Sequence, residues 1–208
     1  MCEYVNNHKS GIILRRYAND ISKELFRKLI HLCAAFIPLS LKYFYAPVLV
    51  LLSVVLIFYI IAEFLRYKGY SDPLISVITQ TAARKRDENK FVLGPVTLTL
   101  GIILTALFFD YKSASVGIYA LALGDGLASL VGKIFGRTIL SFTKGKTVEG
   151  SLACFSAIFV SCFLVTKNAS TSLIIALIGM FIELLPLKDF DNFFIPIVLA
   201  FVMQYLLP

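Results

Sequence analysis

One stretch of the sequence, residues 122–151, combines residue types that bind phosphate and divalent metal ions. Its second half carries Lys144 and Lys146 immediately before a predicted helix that begins near Thr147. Unpaired N–H groups at a helix start favour an anion, and nearby lysines strengthen this preference. Glu149 lies in the first turn, and Mg²⁺ prefers one or two carboxylates together with substrate phosphates. The stretch therefore predicts a site for a phosphate compound that carries a metal ion.

The first half of this stretch places an acid inside an apolar run. Asp125 has glycine on both sides, and Ala128, Gly132 and Gly136 follow at four-residue spacing. Small residues at this spacing let a neighbouring helix approach closely, but close packing has no use for a carboxylate. An ionisable group at membrane depth costs roughly 2.5–3.5 kcal/mol and is a functional hypothesis by default. The two flanking glycines would also permit a break in the helix beside a cavity.

The composition indicates that these residues are held by a polytopic membrane protein of the all-α class. Of 208 residues, 58% are hydrophobic and only 16% are charged, whereas soluble domains have about 25% charged residues. The mean hydropathy is +0.82. Runs of roughly 17–25 apolar residues can cross a bilayer. We predict a bundle of about seven transmembrane helices, at Leu25–Leu41, Phe44–Phe64, Phe91–Phe109, Ser113–Gly132, Ser151–Val165, Thr171–Leu187 and Phe193–Leu207.

The distribution of positive charge predicts the orientation of this bundle. Seventeen of the twenty Lys and Arg residues lie in the N-terminal tail and the even-numbered loops. Because cytoplasmic loops carry an excess of Lys and Arg, the N-terminus is expected in the cytoplasm. The ionisable residues in or near the spans then converge on the cytoplasmic leaflet. These residues are His31, Glu63, Asp125, Glu149, Glu183, Asp189 and Asp191.

Several of these features also have a structural interpretation. Lys28 and neighbouring cations could snorkel at a helix end, and His31 could be a satisfied core histidine. Residues 72–86 predict an in-plane interfacial helix that ends in three cations. The Gly145-Lys146-Thr147 triplet is not a P-loop, because Leu140 stands where the first glycine is required and no strand precedes it.

Short motifs of charged residues and glycines follow one another along residues 23–200. They are Arg-Lys-x-x-His at 27–31, Glu-x-x-Arg at 63–66, Arg86-Asp87-Glu88, Gly-Asp-x-x-Ala-Ser-x-x-Gly-x-x-x-Gly at 124–136, Gly-Lys-Thr-x-Glu-Gly-Ser at 145–151, and Asp191-Asn192. In this order they resemble the polyprenol kinase family of integral membrane lipid kinases. That family includes dolichol kinase, phytol kinase and the CTP-dependent diacylglycerol kinase.

The resemblance implies phosphoryl transfer from a nucleoside triphosphate, typically CTP rather than ATP, to the hydroxyl of a lipid alcohol. Mg²⁺ is the expected metal ion, with Asp125 and Glu149 as its ligands. His31, Asp125 and Asp191 are the catalytic candidates, and the choice of general base among them stays open. The nucleotide-binding residues carried over are Gly132, Gly136, Lys144, Gly145, Lys146, Thr147, Glu149, Gly150 and Asn192.

The predicted organisation is a cytoplasmic tail at 1–22 and a single transmembrane lipid kinase domain at 23–208. We expect a multi-pass protein of a prokaryotic cell membrane, with its active site on the cytoplasmic face and no nucleic-acid partner. The acceptor stays open among polyprenols, phytol-like isoprenoids and diacylglycerol, and the oligomeric state is also open. One alternative is an enzyme similar to CTP:phosphatidate cytidylyltransferases, which would make a CDP-lipid. A more distant one is a small ion-coupled transporter, although no paired broken helices support it.

Overall fold

The computed structural model describes residues 22, 24–70, 90–141, 143 and 145–206. Lys144 and the predicted in-plane helix at 72–86 lie outside these residues. The predicted tail at 1–22 also lies outside them, except for Ser22. Within the described part of the chain, all regular structure is helical, and the only β-type pairing is an isolated bridge between Ile139 and Thr147. The all-α prediction is therefore confirmed.

Seven helices follow one another along these described ranges, and each overlaps one of the predicted apolar runs. They are α1 (residues 24–33, a 3₁₀ turn at Ala34–Phe36 and Ile37–Tyr43), α2 (Tyr45–Tyr67), α3 (Gly94–Phe108), α4 (Tyr111–Phe135), α5 (Val148–Thr166), α6 (Ala169–Leu184) and α7 (Asp191–Leu206).

The starts of these helices follow from local sequence. Pro95 lies in the first turn of α3, where its missing N–H costs nothing. The Asp110 carboxylate caps α4 by accepting from the Lys112 and Ser113 N–H groups. Asn168 caps α6 in the same way. Side-chain oxygens at this position satisfy N–H groups that the helix leaves unpaired.

Three of the described helices, α2, α4 and α5, are long and apolar enough to cross a membrane. The apolar helices α3, α6 and α7 are shorter, with at most 17 residues each. The outward face of α2 is strongly apolar, since the side chains of Val50, Val54 and Phe58 are each more than half exposed. A surface of this kind suits lipid rather than water. The protein is therefore a membrane protein.

The helices pack around a buried core that includes several side chains of α4. α5 contacts both α4 and α6, while α7 contacts α3 and α4. Ile118 and Leu121 of α4 are fully buried together with Ile158 and Leu199. Gly117 allows α4 and α7 to touch, because a Cβ atom there would lie 2.2 Å from the Pro196 carbonyl oxygen.

Glu63 fixes the end of α2 to the start of α3. Its fully buried carboxylate accepts two hydrogen bonds from Arg66 and one of 2.8 Å from the Val92 N–H. Arg66 also donates to the Lys90 carbonyl oxygen. These contacts join the end of α2 to the chain that leads into α3, so Glu63 acts as a structural anchor beside the site described below.

We expect Gly117→Ala to destabilise the protein while Gly94→Ala does not. The added methyl group at residue 117 has no space beside Pro196, and overpacking of this kind costs about 1–3 kcal/mol. At residue 94 the same methyl group meets nothing within 4 Å. The measurement is the midpoint of thermal aggregation in detergent, followed by size-exclusion chromatography. Equal midpoints for the two variants would contradict the packing of α4 against α7.

Candidate active site

Asp125 lies at the end of a widened turn inside α4. Residues Ala120–Asp125 form a π-helical segment between two α-helical segments, Tyr111–Tyr119 and Gly126–Phe135. The sequence suggested that the flanking glycines would permit a break in the helix. The helix instead continues through them and is locally wider at residues 120–125. Gly124 and Gly126 instead give room to neighbouring side chains, Ile158 and Leu32 respectively. Single π-helical turns inside α-helices are frequent at functional sites.

The Asp125 carboxylate contacts two buried side chains of α1. Lys28 Nζ donates to Asp125 Oδ2 over 2.5 Å, and His31 Nδ1 lies 3.1 Å from the same oxygen. The His31 contact lacks hydrogen-bond alignment, although the two groups are close. All three residues are at most 5% exposed. Both of these contacts are made to Oδ2.

A second group of contacts holds α1 against α4 one turn further along. Glu24 accepts a 3.1 Å hydrogen bond from Ser129 and lies 3.6 Å from Lys133 Nζ. Arg27 also donates to Glu24. These contacts fix the angle at which α1 presents Lys28 and His31 to α4.

A cavity of about 170 Å³ with several charged residues in its lining lies beside Asp125 at this end of the bundle. Its walls come from α1, α4, the start of α5, the end of α6 and the start of α7. Three cations and three acids line it together with small residues. The charged residues are Lys28, Lys133, Lys146, Asp125, Glu183 and Asp191.

The chain between α4 and α5 forms a compact turn that brings Lys146 to this cavity. The Leu140 N–H donates to the Lys146 carbonyl oxygen over 2.9 Å, and the Val148 N–H donates to the Thr138 carbonyl oxygen over 3.0 Å. Gly145 has a φ of 93°, which side-chain-bearing residues rarely adopt. Gly145 and Lys146, which the resemblance assigned to the nucleotide, both line the cavity.

Lys146 and Glu183 form an ion pair across the cavity. Lys146 Nζ lies 2.9 Å from Glu183 Oε1, and Glu183 is buried near the end of α6. The other carboxylate oxygen, Oε2, is buried without a hydrogen-bond partner. A buried oxygen of this kind costs stability unless something binds it. Glu183 was not among the predicted site residues, although its place at the end of an apolar run was a usable signal.

The glycines of this region permit close contact between α4 and α5. A Cβ atom on Gly150 would lie 2.7 Å from the Ala128 carbonyl oxygen, and one on Gly132 would lie 2.9 Å from Thr147 Oγ1. Gly136 is also packed against Thr147. Gly132, Thr147 and Gly150 line the cavity, whereas Gly136 is outside its lining.

Glu149 faces a different direction from the other predicted metal ligand, Asp125. Its carboxylate accepts from the Thr138 N–H over 3.2 Å, and it is absent from the cavity lining. Glu149 therefore supports the turn between α4 and α5. Among the residues that the structure describes, no three His, Cys, Asp or Glu side chains gather as a complete metal site.

The two residues that begin α7 differ in role. Asp191 lines the cavity. Asn192 is buried, and its side-chain amide lies 3.4 Å from the Gly94 carbonyl oxygen and 3.5 Å from Thr97 Oγ1. Asn192 thus connects α7 to the start of α3. Lys28, which the sequence placed in the Arg-Lys-x-x-His motif but not among the candidate site residues, also lines the cavity.

We expect Thr147→Val to lower stability by about 1 kcal/mol, because Thr147 Oγ1 caps α5 by accepting from the Gly150 N–H. Thr147→Ser keeps the oxygen and should retain most of that stability. Thermal midpoints in detergent compare the two variants. If valine were tolerated as well as serine, the capping role would be wrong.

The chain is similar to several curated proteins. It is 30% identical over 187 residues to the uncharacterized protein MJ1137 of Methanocaldococcus jannaschii, which covers 88% of this chain and 94% of that protein. It is 26% identical over 141 residues to phytol kinase 1, chloroplastic, of Arabidopsis thaliana, covering 59% of this chain. Over 85 residues it is 31% identical to CTP-dependent diacylglycerol kinase 1 of Eremothecium gossypii, covering 41% of this chain.

The two kinases are considerably longer than the region they share with this chain. The similarity spans 46% of the phytol kinase and 26% of the diacylglycerol kinase. No family model and no solved structure matches the chain.

Proposed function

We propose that this chain, which belongs to the same family as MJ1137 of Methanocaldococcus jannaschii, is a lipid kinase that phosphorylates the hydroxyl of a membrane alcohol. The names of its curated relatives support a phosphotransferase enzyme. The observation that carries the proposal is the charged cavity at one end of an apolar helix bundle. A soluble triphosphate and a membrane alcohol can meet only at such a boundary.

The cations of the cavity suit the triphosphate. Phosphoryl transfer requires mainly positioning and neutralisation of negative charge. Lys28, Lys133 and Lys146 supply three positive charges to one space, and Gly145 brings backbone close to it. We infer that the donor phosphates displace Lys146 from Glu183, because a multiply charged phosphate chain attracts an ammonium group more strongly than one carboxylate does.

The acids that remain in the cavity fit a Mg²⁺ ion shared with the donor. Asp125 lines the cavity, and the buried Glu183 Oε2 has no hydrogen-bond partner. We therefore propose Asp125 and Glu183 as the protein's ligands, while Glu149 keeps its place at the Thr138 N–H. When bound, Mg²⁺ would neutralise charge on the transferring phosphoryl group.

The reaction joins the two substrates directly. The alcohol oxygen forms a bond to the γ-phosphorus, the bond from that phosphorus to the bridging oxygen breaks, and the nucleoside diphosphate leaves with the electron pair. The proton of the hydroxyl passes to one of the three catalytic candidates, His31, Asp125 or Asp191. Lys28 holds Asp125 in position through its 2.5 Å hydrogen bond.

We propose CTP as the donor, with support from the name of the CTP-dependent diacylglycerol kinase. The lysine-rich loops support a multi-pass arrangement with this end of the bundle in the cytoplasm. The nucleotide would then reach the cavity from the cytoplasm, and the alcohol would reach it from the bilayer.

We expect Asp125→Asn to reduce turnover by about 10²–10³-fold, the range found when one preorganised electrostatic contact is removed from a reaction centre. Asn retains the size of the side chain but removes the charge that holds Lys28. The measurement is the rate of lipid phosphorylation by purified protein in mixed micelles.

The matched control is Asp110→Asn, which makes the same chemical change at the opposite end of α4. Asp110 caps the helix, and asparagine caps equally well. This variant should keep the wild-type rate, and the two rates are compared only for protein that elutes in the folded peak of a size-exclusion column. Wild-type turnover by Asp125→Asn would overturn the proposed role of this carboxylate.

CTP labelled at different phosphates distinguishes the kinase from the cytidylyltransferase alternative. We expect label from the γ-phosphate to enter the lipid, because the kinase transfers that group and releases CDP. Label from the α-phosphate should stay in the soluble nucleotide. A panel of farnesol, phytol, dolichol and diacylglycerol, each tested with CTP and ATP, identifies the substrates. A lipid labelled from the α-phosphate, with release of pyrophosphate, would refute the kinase.

A further inference from the structure

A second, smaller cavity lies directly beside the charged one. It has a volume of about 30 Å³, and its walls come from α1, the start of α3 and the turn that leads into α7. Lys28 and Asp191 line both cavities, so these two side chains form the boundary between them. Whatever occupies the smaller cavity therefore lies next to the donor phosphates.

The walls of this smaller cavity change from polar to apolar. Its polar lining residues are Arg27, Lys28, His31, Asp189, Asp191 and Asn192. Val92 and Leu98 are buried apolar residues on another side, and Ile30 is apolar but 37% exposed on the outer face of α1. A space with charged groups on one part of its wall, apolar side chains on another and the partly exposed Ile30 in its lining matches an amphiphile with one small polar group.

We propose that the smaller cavity binds the hydroxyl end of the lipid alcohol, with the hydrocarbon leaving between α1 and α3 past Ile30. This inference rests on the proposed kinase function and adds the acceptor subsite to it. The volume accommodates roughly two water-sized groups, which is enough for a hydroxyl and its adjoining carbon. The rest of the lipid stays in the bilayer.

The arrangement also separates the roles of the polar residues. His31 lines the acceptor cavity, and its contact with Asp125 uses Nδ1, which leaves Nε2 for the hydroxyl. Asp125 lines only the donor cavity. Lys28 contacts Asp125 from the boundary, where the donor and acceptor oxygens approach the same phosphorus.

The test compares tryptophan substitutions at two neighbouring residues of α1. Ile30→Trp narrows the entrance, and we expect it to raise the KM for farnesol in mixed micelles about tenfold while the KM for CTP stays constant. Leu29→Trp is the matched control, because Leu29 is also apolar and exposed but does not line the cavity. Lys146→Met should raise the KM for CTP and leave the KM for farnesol unchanged, since Lys146 lines only the donor cavity.

A labelling experiment on the wild-type protein gives a second readout that needs no turnover. A farnesol analogue with a diazirine close to its hydroxyl should label peptides that contain residues 27–31 or 92–98 after irradiation. Excess farnesol should prevent this labelling. Labelling confined to α5 or α6 would place the acceptor elsewhere and overturn the proposal.

The outcomes separate this inference from the function on which it rests. If the wild type phosphorylates no alcohol with any donor, the proposed function fails and the acceptor subsite fails with it. If the wild type is active but Ile30→Trp and Leu29→Trp have the same KM for farnesol, only the acceptor subsite is wrong.

Discussion

The ion pair between Lys28 and Asp125 is the constraint on which the rest of this end of the protein depends. Each charge lies in an apolar bundle, where an isolated charge would cost several kcal/mol. The two residues are 97 positions apart in sequence, so their contact requires α1 and α4 to cross at one level. Two features hold α1 and α4 in this relative position. They are the π-helical turn before Gly126 and the contacts of Glu24 with α4.

Small residues serve the same site indirectly. Gly132 and Gly150 let α4 and α5 approach closely, and Thr147 both fills the space between them and caps α5. The turn that joins the two helices is held close to α4 as a result, and Lys146 reaches the cavity from it. The lysine that would bind phosphate therefore depends on glycines that need not touch the nucleotide.

Three cations and three acids line the charged cavity, so their formal charges balance. Lys146 is paired with Glu183, and Lys28 with Asp125. In the proposed reaction, these acids would become available when the donor phosphates take the cations. The two adjoining cavities would offer separate approaches in that reaction, one for a charged water-soluble donor and one for the hydroxyl of a membrane lipid.

The sequence alone determined the helical class and the number of apolar runs, and it singled out Asp125 as a candidate, because hydropathy and an acid inside an apolar run are local properties. It also indicated Lys146, which follows a glycine at a helix start. Only the tertiary structure decided the partners of these residues. Lys28 and Glu183 enter the site, whereas Glu149 turns away to Thr138, and no local pattern distinguishes a carboxylate that faces a cavity from one that caps a turn. Contacts between distant helices depend on their crossing, which packing sets for the whole bundle.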